Sequence, residues 1–356
     1  MDIFDTNVLV GVVKNLITTP TFMLDTFFKG TIESEEEFLS VDVDLGLRRM
    51  APFVSPLVEG KLVESRQVQT NTFRPAYIKD KRAPDLKRPV RRMIGERIGG
   101  DMSNRERMMA NLKFELQDQT DMINRRLVWM ACSALQTGTV TVTGDGYETQ
   151  VVNFNRDSTL TVALTSTATW AVANVNPAAP ATPTASPTQD LDNWAAQILK
   201  LSGSVPTDVV FSLGAWQLFL NDPVLKSVPL ITAFERKATK NVDLTGGIGG
   251  QPKMKGVQYK GAWGDYDLWI YNDWYIDVNG VQQPMMPGNQ VIMGSEDIQG
   301  TRMFGAIMDP QFDYGALAFA PKSWIKEDPA QRYMMMQSAP LVVPERPNAS
   351  FCATVA

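Results

Sequence analysis

One long helix, predicted between Ser103 and Thr137, constrains the fold of this chain more than any other feature of its sequence. The residues Ser103-Asn-Arg-Glu106 form a capping box, in which the serine hydroxyl and the glutamate carboxylate satisfy free backbone amides at a helix start. Gly138 offers a left-handed stop at the other end. Apolar residues recur between these signals at helical spacing, namely Met108, Leu112, Leu116, Ile123, Leu127 and Ala131. A helix of this size is about 50 Å long, so the sequence predicts a rigid beam, with an ordinary amphipathic core helix as the alternative.

The first 50 residues are typical of an arm that contains helical pieces. Residues Asn7 to Ile17 form a short amphipathic segment, and the aromatic-rich segment Phe22 to Phe28 follows Pro20. The run Glu33 to Glu37 is strongly acidic.

Residues 51 to 92 show a different pattern, because short β-prone pieces alternate there with prolines. These pieces are Phe53 to Val58, Lys61 to Val68 and Thr72 to Ile78, and Gly60 is a plausible turn. Prolines and charges suit strands that lie at the edge of a sheet. The pattern therefore favours a long two-stranded excursion over a core sheet.

Beyond the long helix, the sequence predicts a hairpin and then an exposed connection. The strands of the hairpin are Thr139 to Thr143 and Val151 to Phe154, joined by a turn at Gly144 to Gly146. The Pro-, Ala- and Thr-rich residues 176–188 indicate a linker or exposed loop.

An α+β unit is predicted from residue 190 onwards. Asp190 or Asp192 is expected to cap a helix that runs through Leu201. Gly246 to Gly250 indicates a flexible loop. The remaining predicted elements are a strand at 209–211, a helix at 215–220, strands at 257–260, 266–271 and 274–278, and a turn at Asn279-Gly280.

The last predicted segment is an apolar, strand-forming run close to the end of the sequence. Asp328-Pro329 is typical of a turn, and Arg332 to Ala339 is typical of an extended segment. Pro340 and Pro344 are expected to limit that strand, because proline has no amide proton for a ladder. The pattern predicts that this end of the sequence is held in a sheet.

Composition excludes several classes of protein. The sequence has 356 residues, 44% of them hydrophobic, which is enough for two or three compact units with ordered cores. A net charge of −5 argues against a nucleic-acid binder that depends on overall positive charge. The segment Met1 to Asp5 carries acid where a signal peptide needs base, and no apolar run approaches the ~18 residues that span a bilayer. We therefore expect synthesis in a cytoplasm and no membrane partner.

The sequence contains no histidine, and this restricts catalysis most. Without histidine, the chain cannot form a Ser-His or Cys-His nucleophilic site, and it cannot bind a metal through histidine. Cys132 and Cys352 have no metal-type spacing and are expected to be reduced and structural. Carboxylate pairs, lysine bases and oxygen-only metal sites remain open.

Two acidic pairs and one glycine run are the remaining chemical motifs. Asp265 with Asp267, and Asp42 with Asp44, could bind a hard cation, but neither pair lies in a glycine-punctuated calcium loop. Gly246 to Gly250 lacks the lysine and spacing of a phosphate-binding loop. The tryptophan-rich residues 263–275 could bind carbohydrate, although β-sheet core is the simpler interpretation. We therefore predict no catalytic residue, cofactor or metal.

Charge is divided between neighbouring parts of the sequence. Residues 74–107 hold eleven bases and five acids, for a net charge of +6, and residues 1–44 hold two bases and nine acids, for a net charge of −7. Three interpretations of the basic stretch are open: a solvated face, a nucleic-acid surface, or pairing with the acidic arm within one subunit or between copies. Nucleic acid is disfavoured, because the stretch holds almost no stacking aromatic beyond Tyr77.

Several segments, in order along the sequence, resemble the lambda-type major capsid protein family of tailed bacteriophages. The closing segment carries the strongest match, with Trp324, then Asp328-Pro-Ala330, then Met336-Gln-Ser-Ala-Pro-Leu341. The earlier matches are Phe53-Val-Ser-Pro56, Ser65-Arg66, Phe73-Arg-Pro-Ala-Tyr77, Tyr259-Lys-Gly261, Gly264-Asp265, Asn279-Gly280, Pro287-Gly-Asn289 and Gly294. The resemblance extends from about residue 20 to the end, and residues 176–188 depart from it.

The resemblance implies an α+β protein with the HK97-type phage capsid fold. That fold has an amino-terminal arm, an extended β-hairpin called the E-loop, a P domain with a long spine helix, and an A domain. The corresponding expected ranges are 1–50 for the arm, 51–93 for the E-loop, 94–189 for the P domain with its spine helix at about 103–137 and its hairpin, 190–325 for the A domain and 326–356 for P-domain return strands.

The function implied is that of a major capsid protein, which self-assembles as hexamers and pentamers into an icosahedral shell around double-stranded DNA. An encapsulin-like cellular nanocompartment shell of the same fold is the alternative. The implied partners are other copies of the chain, a separate scaffolding protein, a portal and a decoration protein, with packaged DNA contacted non-specifically if at all. The implied location is the virion, after synthesis in the host cytoplasm.

Once this resemblance is considered, pairing between the acidic arm and the basic stretch is favoured. It implies salt bridges between subunits. The candidate residues for these contacts are Arg66, Arg74, Lys79, Lys81, Arg82, Lys87, Arg88, Glu35, Glu36 and Glu37.

Overall fold

The computed structural model describes most of the chain, in segments separated by gaps. The described residues are 6–14, 21–36, 38–44, 50–60, 68–84, 103–144, 146–178, 182–227, 242–243, 247–248, 256–277, 279–328 and 331–356. Helices and strands are mixed along these segments, in agreement with the predicted α+β class.

The helices of the described residues differ greatly in length. They are α1 (Thr6–Lys14), α2 (Phe22–Phe27), α3 (Asn104–Thr137), α4 (Val172–Val175), α5 (Pro187–Ser202), α6 (Leu213–Phe219) and α7 (Pro223–Ser227). The first two confirm the helical pieces predicted in the arm. Helix α3 has 34 residues and confirms the long helix predicted from the capping box and the apolar spacing.

Most of the strands are short. They are β1 (Gly30–Glu33), β2 (Leu39–Asp44), β3 (Val68–Phe73), β4 (Ile78–Arg82), β5 (Thr139–Gly144), β6 (Tyr147–Asn153), β7 (Thr161–Ala163), β8 (Asp208–Phe211), β9 (Val242–Asp243), β10 (Gly247–Ile248), β11 (Val257–Trp263), β12 (Tyr266–Tyr271), β13 (Trp274–Ile276), β14 (Gln282–Pro284), β15 (Gln290–Gly294), β16 (Gly300–Phe304), β17 (Ala320–Lys326), β18 (Gln331–Ser338), β19 (Pro340–Pro344) and β20 (Phe351–Thr354). The antiparallel β5–β6 hairpin was predicted, as were the strands at β8, β11 and β12.

Local chemistry fixes both ends of helix α3. The Ser103 hydroxyl accepts from the Glu106 amide at 3.3 Å, and the Glu106 carboxylate accepts from the Ser103 amide at 2.7 Å. Gly138 ends the helix with a φ of 71°, a left-handed value that glycine adopts without strain. The guanidinium of Arg156 then donates to the carbonyl oxygens of Leu135 and Gln136, so the last turn has partners for backbone groups that a helix end leaves free.

Helix α3 is the centre of the largest apolar core of the described residues. Along α3, buried Leu116, Ile123 and Leu127 belong to the same cluster as Met334 and Met336 of β18. Leu341 to Val343 of β19 are fully buried in this cluster as well. The closing segment is therefore packed into the core around the long helix, as its apolar sequence predicts.

A six-stranded mixed sheet organises the second core, in the order β11-β12-β8-β15-β20-β7. Aromatic rings fill this core, and those of Trp194 and Phe351 stack with their centroids 5.0 Å apart. The Trp170 indole donates to the Asp190 carboxylate at 2.8 Å. Strand β20, near the end of the sequence, lies in this sheet between β15 and the edge strand β7.

The structure corrects the prediction for the excursion after residue 50. Strand β3 pairs antiparallel with β2, which lies in the predicted arm, from Leu39 opposite Phe73 to Asp44 opposite Val68. Residues 51–60 contain no strand, because Pro52 and Pro56 lack amide protons and a turn joins Ser55 to Val58. The predicted strand at 61–68 lies almost wholly outside the described residues.

Strand β18 ends at Ser338, before Pro340, as predicted. Pro340 and Pro344 are in addition the first and last residues of a further strand, β19, which lies at the edge of its three-stranded sheet, where prolines are tolerated. The prediction for the start of α5 differs from the structure. Neither Asp190 nor Asp192 caps α5, which begins at Pro187. Instead, the buried Asp222 carboxylate accepts from the Thr188 amide and hydroxyl, at 2.9 Å each.

Candidate assembly surface

The most exposed apolar residues of the described chain lie between β2 and β3. The exposed fractions are 89% for Met50, 104% for Phe53 and 95% for Leu57, and Val58 is two-thirds exposed. The turn that presents Leu57 closes with a 3.0 Å hydrogen bond from the Val58 amide to the Ser55 carbonyl oxygen. Isolated apolar residues are common on surfaces, whereas a contiguous apolar segment indicates an interaction site. We refer to residues 50–58 as the apolar segment.

The acidic candidates lie just after the edge strand β1. Glu33 ends this strand, which pairs in parallel with β16, and Ser34 donates its amide to the Phe304 carbonyl oxygen at 2.9 Å. Glu33, Glu35 and Glu36 are exposed. Glu37 lies outside the described residues. The exposed acidic surface described by the structure therefore consists of Glu33, Glu35 and Glu36.

The basic candidates divide into those that the structure describes and those that it does not. Arg66, Lys87 and Arg88 lie outside the described residues. Arg74 is exposed between β3 and β4, and Lys79 and Lys81 are exposed on β4.

Arg82 is held within its own subunit. Its guanidinium lies 2.9 Å from the Asp80 carboxylate, 3.1 Å from that of Glu115 and 2.6 Å from that of Asp118. Burial lowers the pKa of Arg82, but hydrogen bonds to the three carboxylates outweigh it, and the pKa is raised overall. Glu115 and Asp118 both lie on α3, so their contacts with Arg82 link β4 to the long helix.

In the part of the chain that the structure describes, Lys79 and Lys81 contact aromatic rings rather than carboxylates. The Lys79 ammonium lies 5.1 Å from the centre of the Tyr77 ring. The Lys81 ammonium lies 4.5 Å from the ring centre of Tyr333 and 5.4 Å from that of Trp324. Sequence reasoning missed these aromatic partners, because Trp324 and Tyr333 are distant from the basic stretch and only strand pairing brings them together.

Of the two acidic pairs in the sequence, the structure describes the side-chain surroundings of Asp265 and Asp267. Asp267 accepts a hydrogen bond from the Tyr259 hydroxyl at 2.9 Å, and Asp265 is exposed in the neighbouring turn. Asp42 and Asp44 lie on β2. Within the described ranges, no cluster of three or more carboxylate, cysteine or histidine side chains could hold a metal ion.

The other sequence motifs are structural wherever they are described. Cys132 and Cys352 are buried free thiols, and burial raises the pKa of Cys352 to about 11, an effect that nearby Arg156 reduces. Such a thiol is protonated at neutral pH and is a poor nucleophile. Of the predicted glycine loop, Gly247 and Ile248 form β10, and its other residues lie outside the described part. A helix apolar and long enough to cross a bilayer does not occur among the described residues.

Comparison with known proteins gives matches along nearly the whole chain. The sequence model of the family described as phage major capsid protein E matches residues 5–355. The major capsid protein of Escherichia phage N15 is 27% identical over 355 residues, which cover 98% of each chain. That of Escherichia phage lambda is 26% identical over 355 residues, again with 98% of each chain covered.

Solved structures of low sequence identity share the fold. A prophage capsid protein of E. coli CFT073 is 19% identical, with a TM-score of 0.68 and 99% of each chain covered. The capsid of Ralstonia phage GP4 is 12% identical, with a TM-score of 0.51, and the alignment covers 91% of this chain and 85% of the other.

Proposed function

The chain belongs to the phage major capsid protein E family, and we propose that its copies assemble as hexamers and pentamers into an icosahedral phage head around double-stranded DNA. The major capsid function expected from the sequence is confirmed, because the matching relatives are named major capsid proteins. The chain is therefore a structural component of the virion, and the nanocompartment alternative is set aside. The HK97-type fold is confirmed by the likeness to solved phage capsid structures.

The proposed division of the subunit follows the ranges expected from the sequence. Helix α3 serves as the spine helix of a P domain at 94–189, and 190–325, which includes most of the six-stranded sheet, forms the A domain. Residues 326–356 contribute β18 and β19 to the core around α3 and β20 to that sheet. The pairing of β2 with β3 supports an arm at 1–50 that runs beside the middle of an E-loop at 51–93. A rigid α3 keeps each subunit stiff while neighbouring subunits change their relative tilt.

The exposure of the apolar segment is the observation that carries this proposal. Its large side chains project into solvent from a single copy of the chain. Full burial of one such side chain contributes about 1.5–3 kcal/mol, so a neighbour that covers Met50, Phe53 and Leu57 gains several such contributions. Because every copy both presents and covers a segment, the contact repeats around a closed ring.

Charged contacts between subunits form a second part of the proposal. Glu35, Glu36, Lys79 and Lys81 are exposed and available, whereas Arg82 is engaged within its own subunit. Arg66, Arg74, Lys87, Arg88 and Glu37 remain candidates for the same contacts. Each exposed pair contributes only ~0–1 kcal/mol, so these contacts matter through repetition over many subunits.

Further partners complete the proposed assembly. We assign to it a separate scaffolding protein, a portal and a decoration protein, and packaged DNA that is contacted non-specifically if at all. The support for these partners is the membership of the chain in a capsid family rather than any described surface.

The double variant Phe53→Ser, Leu57→Ser tests the role of the apolar segment. Under conditions in which the unaltered chain forms particles, we expect the variant to sediment as folded, unassembled subunits. Electron microscopy measures particle formation, and thermal unfolding verifies the fold. The matched control is Leu199→Ser, Leu213→Ser, which removes two leucines that are 41% and 46% exposed on other elements. Normal particles from the segment variant would contradict the proposal.

A further inference from the structure

One face of the three-stranded sheet β17-β18-β4 is turned away from the long helix. Side chains alternate between the two faces of a strand, and buried Met334 and Met336 of β18 occupy the face in the core around α3. Tyr333 therefore lies on the opposite face, with Trp324 directly across from it on β17. Lys81 is paired with Met335, which puts its side chain on the same outward face.

The residues of this outward face contact one another. The rings of Trp324 and Tyr333 stack with centroids 5.6 Å apart, and the Lys81 ammonium lies over both rings. Lys79 lies two residues before Lys81 and over the Tyr77 ring, and the Tyr77 hydroxyl donates to the Gln337 side chain at 2.7 Å. We refer to Lys79, Lys81, Tyr77, Trp324 and Tyr333 as the lysine–aromatic platform.

The platform positions positive charge without neutralising it. An aromatic ring attracts an ammonium through its quadrupole and leaves the net charge in place. Within the described residues, neither Lys79 nor Lys81 forms an ion pair. The contrast with the helix-facing side of the same strand is direct, because Arg82 there is surrounded by three carboxylates.

The chain carries its own candidate partner for this charge. Glu33, Glu35 and Glu36 are exposed at the end of β1 and just beyond it, and β1 belongs to a different sheet from the platform. In the described part of one copy, no ion pair joins these carboxylates to the platform. A self-assembling chain can make this contact between copies.

Nucleic acid fits the platform less well than an acidic peptide does. Proteins that bind single strands use free ring faces on which bases stack. Here the Lys81 ammonium already lies over the rings of Trp324 and Tyr333, which leaves less ring surface for a base.

We propose that the lysine–aromatic platform binds the acidic segment Glu33, Glu35 and Glu36 of a second copy of this chain. The inference rests on the proposed shell assembly and adds a defined site to it. The rings hold the two ammonium groups in place, which reduces the entropy lost when the carboxylates of the other copy bind.

Charge reversal on each side, followed by a double reversal, tests this contact. The variants are Lys79→Glu, Lys81→Glu for the platform and Glu35→Lys, Glu36→Lys for the acidic segment. We expect each to lower the assembled fraction about tenfold at low salt, because like charges then face each other. Combining all four changes should restore assembly, and Lys79→Arg, Lys81→Arg is the charge-preserving control. Sedimentation measures the assembled fraction, and thermal unfolding verifies that every variant folds.

Three results would overturn the inference. The platform variant could assemble normally, the fourfold variant could remain unassembled, or the platform variant could form normal shells that retain less nucleic acid. The third result would assign the platform to nucleic acid. If the unaltered chain formed no shell under any condition, the proposed function itself would fail, and that outcome is distinct from all three.

Discussion

Helix α3 and the apolar segment are at opposite extremes of burial in the same chain. On α3, Leu116 is 1% exposed, and both ends of the helix have partners from the chain itself. In the apolar segment, Leu57 is 95% exposed, and no strand forms in residues 51–60. The two leucines thus have the same chemistry and different surroundings, because Leu116 packs against the rest of the subunit, whereas Leu57 faces solvent in a single copy and is covered by a neighbouring subunit in the proposed assembly.

From this difference we infer that folding and assembly depend on separate sets of residues. In this proposal, the core around α3 determines whether a subunit folds, and the apolar segment determines whether subunits join. A substitution in one region should therefore leave the property governed by the other nearly unchanged.

Truncation of one leucine in each region gives the largest expected difference between the two regions. We expect Leu116→Ala to lower the free energy of unfolding of the unassembled chain by about 2–5 kcal/mol, because it leaves a cavity in a packed core. Leu57→Ala should change the same quantity by less than about 0.5 kcal/mol. Urea denaturation measures both values. A large loss from Leu57→Ala would show that the segment is packed within its own subunit.

Replacement of Arg156 tests how much its hydrogen bonds stabilise the carboxyl end of α3, and the expected loss of stability is smaller than that of Leu116→Ala. Arg156→Met leaves the carbonyl oxygens of Leu135 and Gln136 without their side-chain donor, and we expect a loss of about 1–3 kcal/mol. Arg156→Lys is the control, since lysine keeps the charge but cannot reproduce the planar fork of donors, and it should lose less. Equal stability of Arg156→Met and the unaltered chain in urea would count against this role.

The capping box should give the smallest effect, and one that depends on pH. Hydrogen bonds from the Ser103 amide and then the Ser103 hydroxyl lower the pKa of Glu106 below its ordinary value of 4.5. With a lowered folded-state pKa, the stabilisation is present above the unfolded pKa and is lost as the pH falls through the folded value. The melting temperature of Glu106→Gln should therefore lie below that of the unaltered chain at neutral pH and approach it in acid. Glu35→Gln is the control, and a pH-independent difference for Glu106→Gln would contradict the charge effect.

Local signals in the sequence predicted much of the fold. Ser103, Glu106 and Gly138 define α3, and Gly144 and Gly146 lie where the β5–β6 hairpin was predicted, because each signal acts on residues close in sequence. The pairing of β2 with β3 was missed, since the choice of strand partner depends on contacts distant in sequence.

The candidate surface was predictable in part for the same reason. Charge counting selected Glu35, Glu36, Lys79 and Lys81, which are exposed, and Arg82, whose partners on α3 become visible only in three dimensions. The platform aromatics were missed because β17 and β18 supply them from the far end of the sequence.

Hydrogen exchange of residues 50–60 in unassembled subunits and in assembled particles tests the central claim most directly. Exposed backbone exchanges quickly, and burial against a partner slows that exchange. We predict fast exchange across 50–60 in the unassembled chain and marked protection in particles, while the amides around Leu116 are protected in both states. Equal, fast exchange of residues 50–60 in both states would contradict the account.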